Sequence, residues 1–128
     1  MTRTAAKRAV VLVVEDDVLL RINAGEMIES AGFDVVETAS ADEAIAVLER
    51  RVAIHIVFTD IQMPGSMDGL KLAHVIRSRW PPVRIIATSG QVALRPGDLP
   101  EGGRFLPKPY SAALVANTLR ELIGDPSS

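Results

Sequence analysis

Residues 54–69 read IHIVFTDIQMPGSMDG, an apolar run that ends on the carboxylate of Asp60 and continues into a turn rich in proline and glycine. The run has the length and composition of a buried β-strand. A carboxylate at the end of such a strand loses hydration free energy unless a cation or hydrogen-bond donors compensate its charge. We therefore expect residues from other parts of the chain to converge on Asp60.

Four further segments have the same strand character, being short, rich in β-branched or aromatic residues and bounded by turn residues. The five predicted strands are AVVLVV (9–14), FDVVETA (33–39), AIHIVFTD (53–60), VRIIATS (83–89) and GRFLPK (103–108). The first, third and fourth are almost continuously apolar, which is typical of strands covered on both faces in a parallel sheet.

Amphipathic segments with helical spacing lie between these strands and after the last one. The predicted helices are 18–31, ended by Gly32; 41–51, capped by Ser40 or Asp42; 69–80, capped by Asp68; and 112–123, capped by Ser111 and ended by Gly124. Asp17 is expected to cap the first helix or to face water. The predicted inward faces include Leu19, Ile22, Met27 and Ile28 in the first helix and Leu114, Val115, Leu119 and Leu122 in the last.

Strands and helices alternate at βαβ spacing, which predicts an α/β fold with a doubly wound, five-stranded parallel sheet. One segment departs from this rhythm. Residues 90–103, GQVALRPGDLPEGG, occupy the place of the fourth helix but are crowded with proline and glycine. We expect that helix to be degenerate or missing, with at most one turn around residues 92–95.

Size and charge limit the possible functions. A chain of 128 residues allows one domain, which we place at residues 9–124, with a loose arm at 1–8 and a tail at 125–128. With 14 basic and 16 acidic residues, the net charge of -2 gives no general attraction to nucleic acid or to an anionic membrane. The absence of cysteine and of a long apolar run leads us to expect a cytoplasmic protein without a membrane anchor.

Acidic side chains follow two of the predicted strands. Glu15 and Asp16 follow the first strand, and Asp60 ends the third. Because the carboxyl ends of parallel strands meet at one edge of the sheet, these carboxylates should lie close together. Like charges so placed repel one another, and oxygen ligands in a site open to water suit Mg²⁺. The sequence therefore predicts a magnesium site at this edge.

The other strand ends supply a cation and hydroxyl groups. Lys108 follows the fifth strand, and Thr88 and Ser89 end the fourth. Neighbours in a strand face opposite sides, so only one hydroxyl can enter the site; we prefer Ser89 and keep Thr88 as the alternative. A carboxylate nucleophile with a metal ion, an ammonium group and a hydroxyl constitutes a site for phosphoryl transfer, with Asp60 as the nucleophile.

Four motifs in this order, VLVVEDD (11–17), FTDIQMPGSMDG (58–69), IIATSG (85–90) and FLPKPY (105–110), resemble the receiver domains of two-component response regulators, close to the chemotaxis type. The resemblance implies a flavodoxin-like fold with strand order 2-1-3-4-5. It implies a regulatory phosphoacceptor whose only chemistry is phosphotransfer and autodephosphorylation, not an enzyme with a substrate of its own.

The resemblance also implies a role for each matching residue. These are Asp60 as phosphoacceptor, Lys108 as phosphate-binding lysine, Ser89 (or Thr88) as switch hydroxyl, Phe105 as switch aromatic or core residue, Pro109 after a cis peptide bond, and Gln62 and Gln91 as residues that tune phosphoryl lifetime. Mg²⁺ would be bound by Asp60, by Asp16 directly, by Glu15 through water and by the backbone carbonyl of Gln62. The chain departs from the family pattern in carrying both Gly65 and Ser66 in the loop after Asp60.

The implied partners are a sensor histidine kinase or a phosphotransfer protein, which donates the phosphoryl group, and a downstream protein of unknown identity. We expect a single-domain regulator, a monomer or weak dimer, that signals by protein docking or serves as a phosphate sink. The alternative is a pseudo-receiver that binds partners without phosphorylation. A flavin-binding module would need a glycine-rich loop where EDDVLL (15–20) stands, and a haloacid dehalogenase-type phosphatase would need an aspartate where Gln62 stands.

Overall fold

Five parallel strands form one sheet: β1 (Val10–Val14), β2 (Asp34–Thr38), β3 (Ile56–Asp60), β4 (Arg84–Ser89) and β5 (Arg104–Pro107). Their order is β2-β1-β3-β4-β5, and every neighbouring pair is parallel. The computed structural model describes residues 8–50, 53–65, 67–91, 94–95 and 97–123. The predicted doubly wound α/β fold and its flavodoxin-like strand order are confirmed.

Four helices cover the sheet in the part of the chain that is described: α1 (Val18–Ser30), α2 (Ala41–Arg50), α3 (Gly69–Arg79) and α4 (Ala112–Ile123). Each begins after a side chain that accepts a hydrogen bond from the backbone N–H three residues later, as N-caps do. These caps are Asp17, Ser40, Asp68 and Ser111. Asp17 therefore caps α1, and Ser40 is the cap of α2.

Two apolar layers enclose the sheet. Alternate residues of each strand point to opposite faces, so Leu12 and Val57 pack with α2 and α3, whereas Val13 and Phe58 pack with α1 and α4. Because β1 and β3 are central and covered on both sides, their side chains are buried along the whole of each strand. The carboxyl ends of these strands are thereby held rigidly at one edge of the sheet.

The predicted inward face of α1 was only half right: Met27 and Ile28 pack into the core, but the other two predicted residues do not. Leu19 is 78% exposed and Ile22 is 44% exposed, whereas Ala24, Gly25 and Ile28 are buried. Small side chains allow the helix axis to approach the sheet closely. The packing gained by this close approach outweighs the burial of the larger aliphatic side chains. In α4, Leu114 is likewise 41% exposed rather than inward, while the other three predicted core residues of that helix are buried.

The connection from β4 to β5 contains no helix among its described residues, 90–91, 94–95 and 97–103. Turns replace it, and Leu99 packs against the apolar layer on the α2 and α3 face. His74 of α3 hydrogen-bonds to the carbonyl of Asp98 at 2.8 Å and links helix and connection. The predicted turn around residues 92–95 lies partly outside the described residues, as do most of the predicted arm and the whole tail.

Strand β5 is an edge strand and ends at Pro107, which pairs with Ser89 of β4. Lys108 continues the ladder through its N–H, which donates to the Ser89 carbonyl at 2.9 Å. The residue after the strand is therefore fixed by backbone pairing before its side chain enters the site. Among the described helices, none has the length and apolar character needed to cross a bilayer.

Candidate functional site

Three carboxylates converge where β1 and β3 end. Oxygens of Glu15, Asp16 and Asp60 all lie within 4.8 Å of one another, close enough to bind a single cation. Glu15 and Asp60 are buried, whereas Asp16 is exposed to solvent. The central strands thus hold two of the carboxylates inside the protein, and the third closes the group from the solvent side.

Lys108 reaches this carboxylate group from the end of β5. Its Nζ lies 3.2 Å from Oε1 of Glu15 and 3.4 Å from Oδ1 of Asp60. The lysine side chain is 19% exposed, so water screens these ion pairs only partly. The Lys108–Pro109 peptide bond is cis. One ammonium group therefore neutralises part of the charge of two carboxylates that come from different strands.

The burial of these groups changes their protonation. Burial raises the pKa of Asp60 above its ordinary value, although Lys108 and a hydrogen bond from the backbone of Gln62 oppose the change. Burial likewise raises the pKa of Glu15. Burial alone would lower the pKa of Lys108, but its two carboxylate partners outweigh that effect and raise it. Lys108 accordingly stays protonated, and the carboxylates bind protons more readily than in water.

Ser89 belongs to a ring of hydrogen bonds beside Asp60. Its hydroxyl donates to Oε1 of Gln62 at 3.0 Å and accepts from the backbone N–H of Gln91 at 3.1 Å. The ring closes where Nε2 of Gln62 donates to Oε1 of Gln91 at 3.2 Å. The hydroxyl and the two amide side chains therefore form one connected hydrogen-bonded group that includes Gln62, two residues after Asp60.

Thr88 and Ser89 face opposite sides of the sheet. Alternation from Ile86 places Thr88 on the face covered by α1 and α4, in register with Asp60. The same alternation places Ser89 on the other face, together with Phe105, which pairs with Ala87. Phe105 is half-buried there, beside a cavity of about 340 Å³ lined by the β4–β5 connection.

Residues 11–119 of the chain match the family model described as the response regulator receiver domain. The chain belongs to this family. The receiver is 34% identical to the sensor kinase CckA of Brucella abortus (strain 2308) over 119 residues, which are 90% of this chain and 12% of that protein. It is 37% identical to the response regulator protein FleR of Pseudomonas aeruginosa over 120 residues, 91% of this chain and 25% of that protein.

The receiver thus spans only between an eighth and a quarter of the length of these two curated relatives. Solved structures match it over nearly their whole length. A receiver protein from Sinorhizobium medicae WSM419 gives a TM-score of 0.84 at 28% identity, covering 91% of this chain and 94% of that one. The receiver domain of hybrid histidine kinase CckA gives 0.75 at 28% identity, covering 89% and 98%.

The donor set of the receiver fits Mg²⁺. Three carboxylates share one small space, and Lys108 is the ammonium group paired with them among the described residues. An all-oxygen set that is open to water on the side of Asp16 is the kind that Mg²⁺ prefers. Glu15, Asp16 and Asp60, which the sequence predicted as a metal group, are therefore brought together by the fold.

Two residues of the site were not recognised from the sequence. Gly69, treated there only as a turn residue, lies against the backbone of Asp60 at the start of α3. Arg21, four residues after the cap of α1, donates through Nη1 to the carbonyl of Glu15 at 2.9 Å. Both contact backbone atoms of other site residues, and no pattern of side-chain types in the sequence reveals such contacts.

Proposed function

We propose that this receiver accepts a phosphoryl group on Asp60 from a phosphohistidine of a sensor histidine kinase or phosphotransfer protein. The observation that carries the proposal is the position of the Asp60 carboxylate. It lies 3.4 Å from the ammonium group of Lys108 and shares a cation-sized space with Glu15 and Asp16. Together these groups provide a nucleophile, a positive charge for the transferring group and a place for a divalent cation.

In the proposed step, a carboxylate oxygen of Asp60 attacks phosphorus. The new O–P bond forms as the P–N bond to imidazole breaks, and the electron pair stays on the imidazole nitrogen, which takes up a proton. The product is an acyl phosphate on Asp60. Lys108 then pairs with an oxygen of the phosphoryl group, since its ammonium already lies beside the attacking carboxylate.

Mg²⁺ is proposed to be bound by Asp60 and Asp16 directly, by Glu15 through water and by the backbone carbonyl of Gln62. When bound, the ion neutralises negative charge that gathers on the phosphoryl oxygens during transfer. The chain's own contribution is to hold the three carboxylates together before the ion arrives. Glu15 is fixed in this arrangement, because its carboxylate accepts from both the Asp17 N–H and Lys108.

Ser89 is proposed as the switch hydroxyl, in preference to Thr88. Its hydroxyl is bonded to Gln62, two residues after Asp60, and it shares a sheet face with Phe105. A phosphoryl group on Asp60 would offer the Ser89 proton a charged acceptor, which forms a stronger hydrogen bond than the amide oxygen of Gln62. Movement of Ser89 would then change the packing of Phe105, whose neighbouring cavity leaves room for it.

Gln62 and Gln91 are proposed to tune how long the phosphoryl group persists. Hydrolysis requires water to attack phosphorus and to break the O–P bond, which regenerates the carboxylate and releases inorganic phosphate. The amide side chains of these two residues are hydrogen-bonded to each other at the solvent-exposed surface, next to the Ser89 hydroxyl, where water has access. The signal then passes on by docking to a downstream protein, or the receiver drains phosphoryl groups from the kinase.

The function is tested by incubating the receiver with acetyl phosphate and Mg²⁺ and measuring the intact mass. We expect one phosphoryl group to be added, and none on Asp60→Asn. Beryllofluoride with NMR detection provides the control, since Asp60→Asn should keep a folded spectrum and lose the response. A folded wild-type receiver that takes neither reagent would instead be a pseudo-receiver that binds partners without phosphorylation.

A further inference from the structure

Arg21 ties the first turn of α1 to the end of β1. Its Nη1 donates to the carbonyl of Glu15 at 2.9 Å, and its Nε lies 3.6 Å from Oε1 of Glu37 on β2. The arginine side chain is 19% exposed, compared with 40% for that of Glu37. One guanidinium group therefore bridges a helix and two strands directly behind the cation-binding carboxylates.

The turn that carries Asp16 is held on both of its sides. Before Asp16, the Glu15 N–H donates to the carbonyl of Thr38 at 3.0 Å and the Glu15 carbonyl accepts from Arg21. After Asp16, the Asp17 N–H donates to the Glu15 carboxylate, and the Asp17 carbonyl accepts the backbone N–H of Arg21. Arg21 is thus bonded to the residue on each side of Asp16.

A glycine makes room for this arrangement. Gly25 lies one helical turn after Arg21 on α1, and a Cβ atom on it would stand 2.8 Å from Oε2 of Glu37. Glu37 itself pairs in register with Val13 of β1. The small residue therefore lets the carboxylate of Glu37 lie between helix and sheet, where its other oxygen faces the guanidinium of Arg21.

We propose that Arg21 is a positioning residue for the divalent cation of this receiver, an inference that rests on the proposed function. By fixing the carbonyl of Glu15, it orders the Glu15–Asp17 turn in the folded protein, so that the cation does not have to order it on binding. The planar guanidinium suits this role, because its donors reach two acceptors at once. Glu37 neutralises the charge of Arg21. The guanidinium therefore does not pair with the cation-binding carboxylates, which remain available to the ion.

The effect should appear in cation affinity more than in stability. A partly exposed ion pair such as Arg21–Glu37 contributes little to the free energy of unfolding. Residues that orient metal ligands from behind, in contrast, commonly change metal affinity by about tenfold or more when removed. A role confined to stability would change the unfolding midpoint and leave the dissociation constant for Mg²⁺ unaltered.

The test is titration of the full receiver with Mg²⁺, followed by NMR or calorimetry, for wild type, Arg21→Met and Arg21→Lys. We expect about a tenfold weaker affinity in Arg21→Met and an intermediate loss in Arg21→Lys, which keeps the charge but has all its donors on one nitrogen. Phosphorylation by acetyl phosphate should return to nearly the wild-type rate when Mg²⁺ saturates Arg21→Met. Arg104→Met is the matched control, because it removes an arginine–glutamate pair between β5 and α4, remote from the carboxylates.

Two results would overturn parts of the proposal separately. If wild type does not bind Mg²⁺, the proposed function itself fails. If wild type binds and Arg21→Met binds equally well, only the role of Arg21 is wrong. Should Arg21→Met fail to fold, Glu37→Met decides in its place: it leaves Arg21 present but unsupported, so a weaker affinity supports the inference and an unchanged affinity rejects it.

Discussion

Gly69 and Asp60 meet backbone to backbone: a Cβ atom on Gly69 would lie 2.0 Å from the carbonyl oxygen of Asp60. The N–H of Gly69 also donates to the carbonyl of Ile61 at 2.8 Å. Helix α3 therefore starts directly on the strand end that carries Asp60, the proposed phosphoacceptor. Because the backbone fixes the position of a Cβ atom and its partner here is a main-chain oxygen, no rotation of a side chain can relieve the contact.

Gly69→Ala should lower the free energy of unfolding by about 1–3 kcal/mol, the range found when a tightly packed site is overfilled. The shift of α3 away from Asp60 should also slow phosphorylation by acetyl phosphate. Urea unfolding and the intact-mass assay measure the two effects. Gly90→Ala is the control, since a Cβ there would meet only Lys108 at an ordinary 3.5 Å; equal losses in both variants would contradict the argument.

Lys108→Met should reduce phosphorylation by about two orders of magnitude, the usual result of removing one group that stabilises transition-state charge. It should also raise the pKa of Asp60 further, because Lys108 is the main group opposing the effect of burial on that carboxylate. An NMR titration of the carboxyl carbons, without Mg²⁺, measures the second effect. An Asp60 that titrates as in wild type would show that the ammonium does not act on it.

Asp60→Asn should stabilise the receiver at pH 7 in the absence of Mg²⁺. Because the folded protein raises the pKa of Asp60, the ionised carboxylate opposes folding at neutral pH. That cost disappears as the pH falls through the raised pKa toward the ordinary value of 3.8, so the variant's advantage should shrink on acidification. Urea unfolding at neutral and acidic pH, in the presence of a chelator, measures the difference in stability between variant and wild type. A difference that does not change with pH would contradict this explanation.

The same variant should respond weakly to Mg²⁺. Wild type should gain about 2.7 kcal/mol of stability when Mg²⁺ is present at a hundred times its dissociation constant. Asp60→Asn, which lacks one of the three carboxylates, should gain less at the same concentration. Equal stabilisation of both proteins, measured by urea unfolding with and without Mg²⁺, would place the ion elsewhere.

Gln62→Met should lengthen the life of the phosphoryl group several-fold, because methionine fills a similar space but lacks the amide that can hydrogen-bond an attacking water and the Ser89 hydroxyl. Gln91→Met should have a smaller effect, since the backbone N–H of Gln91 still donates to Ser89. Loss of the phosphorylated mass with time gives both lifetimes. A shorter lifetime in Gln62→Met would mean that the amide shields the phosphoryl group from water.

Ser89→Ala and Thr88→Val separate the two candidate switch hydroxyls. Beryllofluoride should perturb the NMR signals of Phe105 in wild type and in Thr88→Val, because Ser89 and Phe105 share one sheet face. In Ser89→Ala that perturbation should be lost while binding persists. The opposite pattern would make Thr88 the switch.

The sheet could be predicted from sequence because each strand carries its own signal. The central strands β1 and β3 are apolar throughout, as only strands covered on both faces can be. Because these strands are parallel, Glu15 and Asp60 lie at the same edge of the sheet, whatever conformation the loops adopt. The site residues found at strand ends follow from this order, and so could be named in advance.

Helix orientation could not be predicted as well. In α1, Leu19 and Ile22 were expected to face inward but are exposed, because the helix packs on the sheet through small residues such as Gly25. The contacts of Gly69 and Arg21 with main-chain atoms were missed for a related reason. They depend on how closely two backbone segments approach each other, and residue type alone does not determine that distance.

Pro107 also affects whether another strand can pair with the β5 edge of this receiver. Since the N–H of Lys108 points toward β4, alternation turns the nitrogen of Pro107 to the open side of the sheet, where proline offers no hydrogen. A strand from another molecule that paired with β5 would therefore lack one backbone hydrogen bond. Strand pairing through the β5 edge is thereby disfavoured, whereas the opposite edge of the sheet, at β2, carries no such proline.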